Sequence, residues 1–92
     1  MEIEELMDKP VIGSQAQILG RVCGVEFDPN TWKIIEIGIE LEKSVIETMG
    51  FQKPRVMGNV KVSIPVEEVS AISDVISLKK GAVELRGIAK KI

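Results

Sequence analysis

The chain has no histidine and no tyrosine, and only one cysteine, one tryptophan and two phenylalanines in 92 residues. Without histidine, the commonest general base near neutral pH is missing. Cys23 stands alone, so no intrachain disulfide can form. With no histidine to share a metal or activate the thiol, ordinary structural zinc and a histidine-paired nucleophile are excluded. So few aromatics provide no row of stacking platforms for single-stranded nucleic acid. The glycines match neither GxGxxG nor GxxxxGK[ST], so they make no phosphate loop. No apolar run reaches the roughly 18 residues of a membrane span; the longest, around IIEIGIELE, is cut by glutamates. The start, MEIEELMDK, is acidic, unlike the basic start and apolar run of a signal peptide. These exclusions predict a cytoplasmic protein that is no enzyme, holds no cofactor or metal, and makes no direct contact with nucleic acid.

What is present fits one small globular domain spanning residues 1–92. Apolar residues make up 45% and charged residues 28%, the balance of a chain that folds around a core. At this length a domain hides roughly 60–65% of its unfolded surface, and self-association often adds to it. Net charge is −2, but residues 1–50 carry ten acids and four bases, while residues 51–92 carry four acids and eight bases. This split is able to orient a second copy or a charged partner; its simpler reading is a pair of solvated faces that differ.

The patterning is mostly of period two. Residues 2–8 read as a single helical turn or an irregular lead-in. KPVIGS (Lys9–Ser14) reads as a short strand, followed by a turn at SQAQ that is longer than a tight hairpin because it lacks glycine. ILGRVCGVEFD (Ile18–Asp28) is a strand whose Gly20 and Gly24 predict a bulge or strong coil. After the turn DPNT, Ile35, Ile37, Ile39 and Leu41 alternate with Glu36, Gly38, Glu40 and Glu42, so one face is buried and one is wet. KSVIETMG (Lys43–Gly50) changes to a helical period, with Gly50 as its stop. Val60–Val66 and Asp74–Leu78 are further strands, the first ending or lying at an edge at Pro65. EEVSAIS is a short helical turn or a crossing segment. From Lys79 to Ile92 the spacing suggests a weak, basic amphipathic helix outside a core of residues 6–80. Five or six short strands with one or two short helices predict a mainly β fold, a small and strongly coiled barrel.

The ordered set IGS, ILGRV, EFDPNTW and KIIEIGIELE, followed by VKVSIPVEEVSAISDVISL, resembles the PRC-barrel domain family over roughly residues 6–80. The resemblance implies a small β-barrel that serves as a protein-interaction module. The family includes the photosynthetic reaction-centre H subunit, a ribosome-maturation factor of the small subunit, and small stand-alone archaeal proteins, which this chain is similar to in length. Some of the last group are associated with the tubulin-like division apparatus. By that likeness the expected role is a non-catalytic adaptor in cell-division assembly. It would pair with a copy of itself and with another cytoplasmic protein, for example a membrane-anchor protein at the division site. The alternatives are a module that holds a ribosomal protein during RNA maturation, and a small-molecule or metal sensor.

Three places are candidate partner-binding surfaces. Trp32, just after the turn, falls opposite the isoleucine face of a regular strand and is expected to cover the barrel's mouth or a neighbouring subunit. Met49, Phe51, Pro54, Val56 and Met57 form a flexible, Met-containing stretch of the adaptable kind; folding of that stretch over one barrel end is the competing reading. Leu85 and Ile88 lie on the apolar stripe of the basic C-terminal segment, which would dock on a partner, on an anionic membrane surface, or on its own domain. Cys23 is expected as a small buried apolar residue. Glu36, Glu40 and Glu42, like the adjacent Glu67 and Glu68, read as solvated charges rather than as a metal or catalytic set.

Overall fold

A computed structural model describes residues 2–92. A one-turn helix, α1 (Ile3–Leu6), precedes seven strands: β1 (Pro10–Ile12), β2 (Ile18–Phe27), β3 (Ile34–Leu41), β4 (Lys61–Pro65), β5 (Val69–Ile72), β6 (Ile76–Leu78) and β7 (Lys90–Lys91). They form one sheet in the order β5-β6-β1-β2-β3-β4-β7, curled into a half-barrel. Neighbours run antiparallel except β1 and β6, which are parallel.

The long β2–β3 hairpin is the spine, and its pattern explains its face. Ile37, Ile39 and Leu41 point inward and are buried, as are Val62 and Ile64 of β4 beside them, whereas Ile35, expected on the same buried face, is exposed near the turn end of the strand. Each fully buried side chain of this size is worth about 1.5–3 kcal/mol. Glu36 and Glu40 point outward and keep part of their surface in water. The register slips between Val22 and Gly24 and again between Glu26 and Phe27, the irregularity the glycines predicted. Gly20 has a hard steric reason: a Cβ there would lie 2.1 Å from the Glu40 carbonyl oxygen across the ladder.

The two helical expectations change. Lys43–Val45 forms a 3-10 turn and the chain then winds through 46–50 without becoming a regular helix. The end of this winding is a Schellman motif. The Phe51 N–H donates to the Ile46 carbonyl and the Gly50 N–H to that of Glu47, with Gly50 left-handed at φ 89°. The C-terminal segment is not an amphipathic helix outside the core. Gly87, at φ 80°, breaks its turns, and the chain returns to the sheet as β7 against Val62 and Ser63 of β4. Ala82, Leu85 and Ala89 are buried in the same core as Leu19, Val22 and Ile39, so the core runs beyond residue 80. EEVSAIS opens on the last two residues of a 3-10 turn (Val66–Glu68) and continues as β5, an edge strand that alternation did not reveal because Ser70, Ala71 and Ile72 are all exposed. No polar or charged side chain is buried among the described residues.

Candidate interaction surface

The turn between β2 and β3 is built from Asp28. Its Oδ1 accepts the Asn30 N–H at 2.8 Å, its carbonyl accepts the Trp32 N–H, and its own N–H donates to Lys33. This local chemistry is what Asp-Pro-Asn-Thr signals. It holds Trp32 in the left-handed region at φ 59°. Trp32 is therefore part of the turn, two residues ahead of the strand, and its face does not follow the parity of β3. Its indole is 77% exposed, so it covers no barrel mouth within this chain. A bulky residue in this backbone region is an outlier that folding alone does not favour.

The connection from β3 to β4 lies at the other end of the hairpin. Phe27 faces Ile34 at the turn end, and Gly20 faces Leu41 where the connection leaves. At about 3.3 Å per residue these ends are roughly 20–24 Å apart. Residues 51–60 carry no regular structure. Phe51 is half-buried and packs against the core, which anchors the segment at its start. Val60 is buried and anchors its finish. Between these anchors Pro54 is exposed, Val56 is 79% exposed and Met57 is 96% exposed.

The other expected surface residues are elsewhere. Met49 is buried to 2%: Val45, Ile46 and Met49 form the apolar side of the winding, and that side faces the core. Leu85 is fully buried and Ile88 half-buried against the core, since the C-terminal segment packs on its own domain. Met49 and Leu85 are thus corrected from surface to core. The remaining candidates form two separate patches rather than one. Ile18, Val83 and Ile92, outside the three expected surfaces or not singled out within them, are exposed as well.

A hollow of about 460 Å³ lies on the outer face of β2, β3 and β4. Gly24 and Gly38 are directly paired across the strands there, and the two missing side chains leave the floor open. Cys23 lines it, half-buried rather than fully buried; burial pushes its thiol above the usual range, Lys61 pulling back against this. Glu26 and Glu36 face each other directly across β2 and β3, and the hydrogen bond and repulsion from Glu36 raise the Glu26 carboxyl above its ordinary value. Glu40 is 3.9 Å from Arg21. Among the described residues no three cysteines or carboxylates gather as a metal site would need, and no helix is long and apolar enough to cross a membrane.

The geometry defines a class: a β half-barrel whose distinctive surface features are apolar side chains held out at two ends. The chain belongs to the PRC-barrel domain family, whose model matches residues 1–85. The search of curated proteins returned no match to it.

Proposed function

We propose that this chain is a non-catalytic adaptor that binds other proteins through the exposed residues at the two ends of its long hairpin. The observation that carries the reading is the pair Val56 and Met57, held mostly in water between the half-buried Phe51 and the buried Val60 that anchor the loop. Exposed apolar groups on a loop otherwise fixed to the core are what a docking surface needs. Trp32, at the far end, supplies a second contact of the residue type that dominates interface energetics. Two separated contacts suit a protein that bridges partners.

Homodimerisation belongs to this reading. β5 is an edge strand paired on one side only, with Ser70, Ala71 and Ile72 exposed, and such an edge favours pairing with another copy. Family membership supports the process we favour, assembly of the cell-division apparatus in an archaeon, with a membrane-anchor protein as partner and the division site as location.

Purification of the tagged chain from its native cell, followed by mass spectrometry, tests the adaptor. Specific division proteins are expected, and their loss from a Val56→Ser, Met57→Ser variant. Recovery of ribosomal subunits without division proteins refutes the division role. Light scattering at tens of micromolar tests the dimer; a mass of 10.1 kDa, that of one chain, refutes it.

A further inference from the structure

We infer that the partner of the β3–β4 connection is an acidic peptide segment carrying an apolar side chain. This rests on the adaptor reading and specifies what that surface recognises.

Pro54, Val56 and Met57 are accompanied by cations. Lys53 and Arg55 lie on the same exposed segment. Lys43 lines a hollow of about 140 Å³ with Ile46, Lys53, Val56 and Met57. A second, open hollow of about 560 Å³ shares Lys53 and is lined also by Phe51, Arg55 and Arg86, with Glu47 as its only carboxylate. Glu47 is 3.5 Å from Lys53 and offsets part of that charge. Arg86 spends two of its donors on the carbonyls of Thr48 and Glu47, which fixes its guanidinium at the rim. Glu42 follows β3 beside Lys43, and the Arg21–Glu40 pair lines one hollow with them, so five cations stand against three carboxylates at this end. The two hollows meet at Lys53; Val56 and Met57 line the smaller, and Phe51, held by the Schellman turn, gives the larger an aromatic wall.

An apolar side chain fits beside Phe51 or against Val56 and Met57, while flanking carboxylates meet Lys53, Arg55 and Arg86. Exposed pairs of this kind give modest affinity but set register and partner choice. The concave walls favour a peptide over a flat bilayer, which would meet only the tip.

The test is selection of a phage-displayed library of random twelve-residue peptides on the full chain. Enriched sequences that combine Asp or Glu with Leu, Ile, Phe or Met are expected. The best of them, made synthetically, should bind a Lys53→Glu, Arg55→Glu variant about fivefold or more weakly, and should weaken as salt rises from about 50 to 500 mM. Both residues are exposed, and matching thermal melts show that the variant folds. Enriched peptides without an acidic excess, or equal binding by the charge-reversed variant, overturn the inference. So does failure to enrich any peptide while the chain sediments with vesicles containing phosphatidylserine. Native partners lost with Val56→Ser, Met57→Ser but kept on charge reversal would leave the adaptor reading standing and remove this one.

Discussion

Replacing Trp32 by glycine and, separately, by alanine gives a clean test of the turn. Both variants lose the same indole, and because that indole is 77% exposed its loss is small and cancels in the comparison. What differs is the backbone. A residue with a Cβ is disfavoured in the left-handed region by about 1–2 kcal/mol. Glycine escapes that cost but gives up about 0.5–1 kcal/mol through its greater freedom in the unfolded chain. With φ at 59°, Trp32→Gly should be the more stable of the two by about 0.5–1 kcal/mol. For a domain of this size that is a gap of roughly 2–8 °C in Tm. The chain has no tyrosine and no second tryptophan, so far-UV circular dichroism is the appropriate probe. An alanine variant that melts at or above the glycine variant would refute the left-handed turn and the argument built on it. Under the adaptor reading both variants bind partners more weakly than the native chain, whatever they do to stability.

Gly20→Ala should destabilise by about 3 kcal/mol or fail to fold, because its methyl would overlap the Glu40 carbonyl, which belongs to the ladder and has nowhere to go; urea titration measures this. Leu85→Ala should cost about 2–5 kcal/mol in the same assay, the value of a core leucine, whereas a segment docked only on partners would lose almost nothing. Arg86→Ala frees the carbonyls of Thr48 and Glu47 at the Schellman turn and should cost about 1 kcal/mol, with faster amide exchange at Gly50 and Phe51. Glu26 titrates higher in the fold than in the unfolded chain, so the folded state binds the extra proton. Its contribution is present below the ordinary value of 4.5 and is lost as pH rises through the raised one. Glu26→Gln should therefore flatten the fall in stability just above pH 4.5, as thermal melts across that window will show.

The elements with a clear period were legible. Alternation in β3, the glycine irregularity in β2 and the stop at Gly50 follow from backbone and burial rules that act over a few residues. The family resemblance also held, and it agreed with the strand pattern, which by itself argued for a small coiled barrel; the sheet curls into a half-barrel. The failures share one cause. β7 is two lysines long and exists because Val62 and Ser63 offer an open ladder, a fact about a distant strand. β5 has no inward alternation, because an edge strand at a bulge packs little. In the helical period expected over 79–92 the apolar spacing is real, but Gly87 turns it into packed turns, and of the three surfaces open to the stripe its own domain takes it, so Leu85 is core. Met49 went the same way: apolar spacing tells which side chains share a face, and says nothing about whether that face looks inward.

Among the described residues, positive φ occurs at Asp8, Ala16, Trp32, Gly50 and Gly87. Two of these are glycines, which pay no Cβ penalty, and Asp8 is of a type that tolerates the region. Ala16 is small, and its N–H closes the SQAQ turn onto Gly13, so the absent glycine is met by an alanine under mild strain. Trp32 alone is bulky there. It gains no burial that would offset the strain, and Asn or Gly would satisfy the same turn. Where a residue breaks a local rule and folding gains nothing, the compensation is to be sought outside the fold. Trp32→Asn is the variant that separates the two: it should keep the turn and the fold intact and lose only what binds the indole.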